Sequence, residues 1–221
     1  MLKRTFDFVT SAVGLLLASP LLLAIAIWIK LDSRGPVFYR GERVGRGGRK
    51  FHVFKFRSMV VDADRIGASS TSDDDPRITR PGKFVRRFKL DELPQLINVL
   101  AGDMSWVGPR PQVQWAVDLY SAEERALLDV RPGITDYSSL IYCNEGEILQ
   151  GSADPDKDYL EKIAPGKIRL GLLYVKRHNL WIDIKIMMAT ALAILGKDPA
   201  WCLPASERAA AVAEKVRNCS L

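Results

Sequence analysis

The hydrophobic pattern of the chain begins with a long uncharged stretch, residues 8–29. A helix rises about 1.5 Å per residue, so this stretch spans roughly 33 Å, enough to cross the core of a bilayer. It is apolar on every face, whereas a helix of a soluble protein is usually apolar along one stripe. It is also too long for the core of a cleaved signal peptide, and Trp28 closes it like an interfacial anchor. The pattern predicts a membrane segment.

Ser19 and Pro20 lie in the middle of this segment. Proline has no backbone N–H and clashes with the preceding turn, so we expect the helix to be kinked or broken there. Basic residues flank both ends of the segment, so the positive-inside rule gives no orientation. From the residues alone, two arrangements stay open: a re-entrant hairpin that enters and leaves on one side, and a kinked helix that spans the membrane.

The rest of the chain alternates between short strands and helices. Residues 37–40 and 51–56 predict two strands joined by a glycine-rich turn, and the polar residues 60–79 predict a loop. Apolar periodicity and capping signals predict the helices, the last of which is amphipathic. Their ranges are 82–89, 91–100, 121–130, 155–163, 165–177, 180–195 and 205–217. This order predicts an α+β fold that is mainly helical and contains a small β-hairpin.

Composition excludes several classes of protein. The 221 residues are 48% hydrophobic and 26% charged, which is enough to bury a core without disulfides or metal staples. The cysteines at 143, 202 and 219 are far apart and odd in number, so they suggest neither a disulfide framework nor a zinc site. With two histidines in the chain, a histidine-rich metal site is also disfavoured.

The positive charge is concentrated next to the membrane segment. Of the net charge of +6, residues 30–57 carry more than the whole, because nine Lys and Arg stand there against Asp32 and Glu42. We interpret the basic hairpin as a surface held against anionic headgroups, at about 1 kcal/mol per basic residue. A solvated face is the alternative. Nucleic-acid binding is disfavoured because the patch adjoins an apolar segment and offers few aromatic stacking positions, so we expect no nucleic-acid partner.

Two short motifs are candidates for chemistry. Asp91 and Glu92 begin a predicted helix, where Asp91 is a good N-cap, so composition alone favours an ordinary acidic helix start over catalysis. Arg110 lies between Pro109 and Pro111, which fix the backbone on both sides. A rigidly held arginine suits bidentate binding of phosphate, and a plain loop is the alternative.

Taken together and in order, the motifs resemble those of the monotopic phosphoglycosyl transferases, the bacterial sugar transferases that start lipid-linked glycan assembly. The resemblance covers residues 3–195 and most closely matches the small, minimal catalytic form of the family. The motifs that carry it are Arg4-x-Phe6-Asp7, Ser19-Pro20, Gly35-Pro36-Val37, Lys55-Phe56-Arg57-Ser58-Met59, Leu90-Asp91-Glu92-Leu93-Pro94-Gln95, Gly102-Asp103-Met104-Ser105-x-Val107-Gly108-Pro109-Arg110-Pro111, Arg131-Pro132-Gly133-Ile134-Thr135 and Asp183-x-Lys185-Ile186.

The resemblance implies a reaction and its partners. A phospho-sugar would pass from a UDP-sugar to polyprenyl (undecaprenyl) phosphate, giving polyprenyl diphosphate sugar and UMP. This is the first membrane step of exopolysaccharide, O-antigen or glycoprotein glycan assembly. The resemblance also favours the re-entrant helix, inserted from the cytoplasmic face of the bacterial inner membrane among its phospholipids. It implies a membrane hairpin over residues 1–30, a cytosolic catalytic domain with membrane-surface helices over 31–196, and a tail over 197–221. A homodimer is compatible with it.

The resemblance also assigns roles to residues. Asp91 would attack the phosphate that bears the sugar, and Asp91 and Glu92 would hold Mg2+. Its position at a helix N-terminus would help to keep Asp91 ionised. The expected phosphate contacts are Arg110, Arg86, Lys55 and Arg57, and the expected supporting residues are Asp183, which would hold an arginine or the metal site, and Gln95.

The sequence departs from the family pattern in one place. Asp136 follows Thr135 where relatives often have glycine, and residues 142–146 stand near the position of an Asn-Gly-Arg segment tied to donor binding. The identity of the sugar therefore stays open. A membrane-anchored scaffold without turnover is the competing hypothesis, and it predicts loss of the acidic pair or of the neighbouring arginine. Both are present in this chain.

Overall fold

The computed structural model describes residues 2–68, 70–142 and 145–210. Within them the chain is mainly helical with two small sheets, which confirms the predicted fold class at that level. The helices are α1 (Leu2–Asp32), α2 (Arg80–Arg87), α3 (Gln95–Ala101), α4 (Gln114–Asp118), α5 (Tyr137–Ile141), α6 (Glu145–Ile148), α7 (Pro155–Asp158), α8 (Ala164–Arg177) and α9 (Leu180–Ile194). The strands are β1 (Phe38–Val44), β2 (Lys50–Phe56), β3 (Ser105–Val107) and β4 (Gly133–Thr135).

Helix α1 runs without interruption through Pro20, so the break predicted at Ser19 and Pro20 does not divide the helix. Pro20 cannot donate to the carbonyl of Leu16, one turn before it. The hydroxyl of Ser19 donates to that carbonyl instead, at 2.8 Å. The Ser19 side chain thus replaces the backbone bond that proline removes. The helix is long and apolar enough to cross a membrane, and most of its apolar surface is exposed.

The first two turns of α1 are fixed to the domain by polar contacts. Lys3 pairs with Asp183 of α9, and Arg4 donates to the carbonyls of Val99 and Leu100 at the end of α3. Asp7 is buried, and its Oδ2 accepts from the hydroxyl of Ser105 at 2.8 Å.

The last turns of α1 pack on the same domain. Ile25 and Ile29 are buried against Phe56 of β2 and Val85 of α2. Both ends of the apolar helix are therefore held by one folded unit, the first by polar contacts and the second by apolar packing. The helix lies along the domain and does not leave it at either end.

The hairpin of β1 and β2 is antiparallel, with Phe38 opposite Phe56 and Val44 opposite Lys50. It confirms the predicted hairpin and extends the first strand to Val44. Helix α3 supports the hairpin from below through Asn98. The amide of Asn98 accepts from the N–H of Phe54 and donates to the carbonyl of His52, both at 2.8 Å.

Strands β3 and β4 pair in parallel over three residues each, Ser105 facing Gly133 and Val107 facing Thr135. Glycine is required where they meet. A Cβ on Gly108 would lie 2.2 Å from the carbonyl oxygen of Arg131, and one on Gly133 would lie 2.1 Å from the nitrogen of Gly108. This close approach explains why both predicted motifs carry a glycine, and it fixes the start of the segment that bears Arg110.

The C-terminal helices form the largest core. Helix α7 continues through a π-helical turn, Tyr159–Ile163, into α8, so the two helices predicted on either side of Ala164 form one continuous rod. Tyr174 of α8 is buried against Ile186 and Ala189 of α9. Asn179 caps α9 by accepting from the N–H of Ile182 at 3.0 Å. Residues 205–210 are helical, and the rest of the amphipathic helix predicted to 217 lies outside the described residues.

Candidate active site

Asp91 and Glu92 lie in a tight 3-10 turn, Leu90–Glu92, between α2 and α3. Lys89 begins the turn with a φ of 55°, in the left-handed region. Helix α3 begins only at Gln95, with Pro94 at its N-cap, so the prediction that Asp91 caps this helix is wrong. The extra turn separates Asp91 from the start of α3, so Asp91 is not at the helix N-terminus and the helix dipole does not keep it ionised.

Asp91 is buried, with 7% of its surface exposed, and its Oδ1 has no hydrogen-bond partner among the described residues. Burial and the neighbouring charge of Glu92 raise the pKa of Asp91 above its ordinary value. The positive charges of Lys55 and Arg86 act in the opposite direction without cancelling the rise. A buried carboxylate oxygen without a donor is costly for folding and is typical of a group kept for chemistry.

Glu92 is held by two cations. Lys55 Nζ donates to its Oε1 at 2.7 Å, Arg110 Nη1 donates to its Oε2 at 3.1 Å, and Arg110 Nη2 also donates to Oε1. Burial alone would raise the pKa of Glu92, but the charges of Arg110 and Lys55 outweigh it and hold the pKa well below its usual range. Glu92 is therefore a fixed anion beside Asp91.

Arg110 reaches Glu92 because β3 and β4 fix the segment before it. The N–H of Gly108 donates to the carbonyl of Thr135, and the N–H of Gly133 donates to the carbonyl of Pro109, both at 3.1 Å. Pro109 and Pro111 then restrict the backbone on either side of Arg110. The charge of Glu92 raises the pKa of the Arg110 guanidinium, which stays a permanent cation.

Lys55 is the second cation that binds Glu92 in this cluster. Burial lowers the pKa of its ammonium group, and the charge of Glu92 opposes that effect. Arg86 lies in the last turn of α2, close enough for its charge to act on Asp91. Gln95 is buried at the first residue of α3. The structure thus brings together Asp91, Glu92, Lys55, Arg110 and Arg86, with Gln95 on the adjoining helix.

Arg57 does not join this cluster. The side chain of Arg57 is buried against the end of α1. Its Nη1 donates to the carbonyl of Arg34 at 2.7 Å, and its Nη2 donates to the carbonyl of Ser33 at 2.9 Å. The guanidinium satisfies carbonyls that the helix end leaves without partners. Both Nη atoms thus donate inside the protein, whereas the buried Nε has no hydrogen-bond partner among the described residues, and the expected phosphate contact stays a prediction.

Asp183 is held by contacts with α8 and with the start of α1, and its expected supporting role stays a prediction. Its Oδ1 accepts from the hydroxyl of Tyr174 at 2.7 Å, and its Oδ2 binds Lys3. Asp183 therefore ties the start of α1 to α9, and among the described residues it holds no arginine. A buried carboxylate on an apolar helix does require a partner, but the sequence does not tell which cation supplies it.

Two charged residues near Arg110 were not predicted from the sequence. Lys167 of α8 is buried and pairs with Glu145, the first residue of α6. A lysine in a helix carries no local sign of burial, and only the departure of residues 142–146 from the family pattern pointed to this region.

A buried acidic pair surrounded by lysine and arginine, next to an apolar helix long enough to cross a membrane, is suited to the binding of phosphate groups. The comparison with known families agrees. The model of the bacterial sugar transferase family matches residues 1–197, and the chain belongs to that family.

Three curated relatives show what the family contains. The UDP-N-acetylgalactosamine-undecaprenyl-phosphate N-acetylgalactosaminephosphotransferase of Aeromonas hydrophila is 39% identical over 197 residues, 88% of this chain and 44% of the relative. The undecaprenyl-phosphate glucose phosphotransferase of Komagataeibacter xylinus is 42% identical over 199 residues, 85% of this chain and 35% of the relative. The UDP-glucose:undecaprenyl-phosphate glucose-1-phosphate transferase of Caulobacter vibrioides is 37% identical over 202 residues, 90% of this chain and 72% of the relative.

The chain therefore spans less than half of the length of the first two relatives. The names of the three relatives share undecaprenyl phosphate and differ in the sugar, which is N-acetylgalactosamine in one and glucose in two.

Proposed function

We propose that this protein is a phosphoglycosyl transferase that moves a phospho-sugar from a UDP-sugar to polyprenyl phosphate. The observation that carries the proposal is Asp91, a buried carboxylate whose Oδ1 has no donor within the described part of the chain. It lies beside Glu92, which is bound by Lys55 and Arg110. The names of the relatives, which specify undecaprenyl phosphate as acceptor, support the reaction class.

The chemistry follows from charge. A diphosphate donor repels a carboxylate nucleophile, so cations must neutralise the phosphates first. Arg110, Lys55 and Arg86 supply that charge around Asp91. An oxygen of Asp91 attacks the phosphorus that bears the sugar, the bond to the bridging oxygen breaks, and UMP leaves with that oxygen.

The second half-reaction regenerates the enzyme. A phosphate oxygen of polyprenyl phosphate attacks the phosphorus of the aspartyl phospho-sugar, and the bond to Asp91 breaks. The products are polyprenyl diphosphate sugar and the free carboxylate. The same cations stabilise both transfers, because the phosphoryl group occupies the same place in each.

The residues fit a magnesium ion. Mg2+ prefers carboxylate and phosphate oxygens and is usually held by one or two carboxylates plus the substrate. Among the described residues Asp91 Oδ1 has no donor and Oε2 of Glu92 accepts from Arg110 alone, which leaves Oε2 one acceptor position. Asp91 and Glu92 would therefore hold Mg2+, which would neutralise charge on the donor diphosphate.

The position of α1 supports a re-entrant arrangement. Lys3 and Asp7 at one end and Ile25 and Ile29 at the other contact the same domain, and a helix that crosses a bilayer cannot return both of its ends to one side unless it bends or lies shallow. We place the domain at the cytoplasmic face of the bacterial inner membrane, where the head group of the acceptor lies at the depth of Asp91.

The test is UMP release by detergent-purified protein with Mg2+, polyprenyl phosphate and a panel of UDP-sugars, beside the Asp91→Asn variant. We expect release that requires the lipid, selects one sugar and disappears in the variant. A sugar-labelled donor should also leave label on wild-type protein when the lipid is omitted. Absence of release from every donor, with folded protein, would reject the transferase, and activity in Asp91→Asn would reject the covalent step alone.

The topology is tested separately. Single cysteines introduced at Leu2 and at Ser33 should both react with a membrane-impermeant maleimide from the cytoplasmic side of vesicles. Labelling of the two positions from opposite sides would show a spanning helix and reject the re-entrant arrangement without touching the chemistry.

A further inference from the structure

A second ion pair lies within electrostatic range of Arg110. Lys167 is 9% exposed, and its ammonium group donates to Oε2 of Glu145. Burial acts to raise the pKa of Glu145, but the charges of Lys167 and Arg110 outweigh it, and the pKa is lowered. The charge of Glu145 in turn stabilises the Arg110 guanidinium. The pair is therefore an extension of the charged cluster that contains Glu92.

An aromatic ring completes this second group. The ammonium of Lys167 lies 5.1 Å from the centre of the Tyr159 ring. The hydroxyl of Tyr159 lies 3.5 Å from Oε1 of Gln112, two residues after Arg110. Helix α6, the π-helical turn and α8 thus converge on the segment that carries Arg110.

We propose that Glu145 and Lys167 bind vicinal hydroxyl groups of the sugar-nucleotide donor, with the buried Tyr159 ring packed against the Lys167 ammonium group. The inference rests on the proposed function and adds a subsite to it. The hydroxyls belong either to the sugar that is transferred or to the ribose of the nucleotide. Both present the same chemistry, a pair of neighbouring hydroxyl groups on a ring.

The charges of Glu145 and Lys167 determine which chemical groups this subsite can bind. A carboxylate beside a diphosphate is repelled by phosphate, so Glu145 must face a group that donates hydrogen bonds. A hydroxyl donates to a carboxylate and accepts from an ammonium group, and it therefore matches the pair on both sides. Among the described residues Lys167 donates to Oε2 of Glu145, and the Glu145 side chain is 32% exposed, so a hydroxyl can reach the carboxylate.

The subsite is separate from the two cations that hold Glu92. Lys167 binds Glu145, whereas Arg110 and Lys55 bind Glu92, so variants at Glu145 or Lys167 leave both contacts of Glu92 in place.

The experiment uses full-length protein in detergent and three variants, Glu145→Gln, Lys167→Met and the double variant. The double variant removes both charges at similar volume, so that no charge is left buried alone. The matched control removes an exposed ion pair of the neighbouring turn, as Lys157→Met with Glu161→Gln, whose side chains are 68% and 59% exposed. Donor binding is measured by calorimetry with UDP-sugars, and kcat and KM by UMP release.

We expect donor affinity to fall about tenfold or more in all three variants, as for the loss of one hydrogen bond to a charged group. The KM for polyprenyl phosphate, the unfolding temperature of the double variant and all properties of the control should stay unchanged. If the hydroxyls are those of the sugar, UMP should inhibit the variants as well as it inhibits the wild type, and the order of preferred sugars should change. If they are those of ribose, UMP inhibition should weaken in parallel.

Unchanged donor affinity in the double variant would overturn the inference, as would a loss of activity that tracks a lower unfolding temperature for every substrate alike. The two proposals fail separately. Wild-type protein that binds a UDP-sugar without releasing UMP would reject the transferase, while the calorimetry would still decide on the subsite. Wild-type protein that binds no UDP-sugar would reject both.

Discussion

Arg110 and Glu92 form a two-point ion pair across the candidate active site, with Nη1 donating to Oε2 at 3.1 Å and Nη2 donating to Oε1. The pair orients the guanidinium so that its planar fork is fixed before a substrate arrives. The second cation on Glu92, Lys55, is a point charge and fixes no plane. The geometry of the cluster therefore depends on Arg110 more than on Lys55.

We expect Arg110→Lys to separate geometry from charge. The variant keeps the positive charge and loses the fork, so kcat/KM should fall about 100-fold to 1,000-fold, the size of the effect when one preorganised donor is removed. The unfolding temperature should change little, because Lys55 still compensates Glu92. The measurement is UMP release beside thermal unfolding. Near-normal activity in Arg110→Lys would mean that charge alone is needed at this position.

Asp91 and Glu92 should respond oppositely to neutralisation. Folding raises the pKa of Asp91, so its charge opposes folding above that pKa, and Asp91→Asn should abolish UMP release while raising the unfolding temperature. Folding lowers the pKa of Glu92, so its charge favours folding above its unfolded pKa. Glu92→Gln should therefore lower the unfolding temperature, since Lys55 and Arg110 lose their partner.

The size of the Asp91→Asn effect should be about 2–4 °C for each 1 kcal/mol gained, in a domain of this length. Differential scanning fluorimetry in detergent at pH 7.5 measures both variants. A lower unfolding temperature for Asp91→Asn would show that the carboxylate has a stabilising partner in solution, and the account of an unpaired buried oxygen would then be wrong.

Arg86 should set the acidic limb of the pH–rate profile. In the proposed mechanism Asp91 must be ionised to attack, and its pKa is raised, so kcat/KM should begin to fall above the ordinary aspartate range as the pH is lowered. The charge of Arg86 lowers that pKa. Arg86→Gln should therefore move the limb to higher pH, and Arg86→Lys should leave it in place. An unmoved limb in Arg86→Gln would show that another group controls it.

The sequence was sufficient to predict the elements whose signals are local. The apolar run predicted α1, and alternation and glycines predicted the hairpin. The capping signal of the helix predicted at 121–130, Ser121 with Glu124, forms reciprocal contacts, although the segment it begins is a 3-10 helix over Glu124–Asp129. The family resemblance predicted that Asp91, Glu92 and Arg110 belong to one site, because the motifs that contain them are specific. The separation of these residues along the chain does not by itself indicate a common site.

Partners across long distances could not be predicted. Arg57 lies in a motif with Lys55, yet it turns to the end of α1, since the choice between a helix end and a substrate depends on tertiary position. Asp183 pairs with Lys3, 180 positions away. The parallel pairing of β3 and β4 involves strands of three residues, which are too short to carry a periodic signal.

Gly133 should prove essential for positioning Arg110. A Cβ at this residue would meet the nitrogen of Gly108 at 2.1 Å, so Gly133→Ala must push β4 away from the segment that leads to Arg110. We expect UMP release to fall by at least about tenfold, with a loss of about 1–3 kcal/mol in stability. Gly151→Ala is the control, because a Cβ added at Gly151 would meet no atom of the described residues within 4 Å. Its effect on stability should be limited to the strain of the backbone at that residue. Equal activity in the two variants would show that β4 moves without displacing Arg110.

The last prediction concerns the centre of α1, where Ser19 and Pro20 should be energetically coupled. Pro20 leaves the carbonyl of Leu16 without its backbone donor, and the Ser19 hydroxyl supplies one at 2.8 Å. In lipid no water replaces a lost donor. Ser19→Ala should therefore destabilise the protein in nanodiscs by about 1 kcal/mol in the presence of Pro20.

In a Pro20→Ala background the backbone N–H of residue 20 is restored and can donate to the carbonyl of Leu16. Ser19→Ala should then reduce the stability of the protein only slightly. The double-mutant cycle should give a coupling of about 1 kcal/mol. Thr10→Val is the matched control in the same helix, because Thr10 donates to the carbonyl of Phe6 at 2.6 Å while its own backbone N–H keeps the ordinary donor position. Thr10→Val removes a hydroxyl that does not substitute for a missing backbone donor, so it should have a small effect on stability. Equal costs of Ser19→Ala with and without Pro20 would show that the hydroxyl does not compensate for the proline.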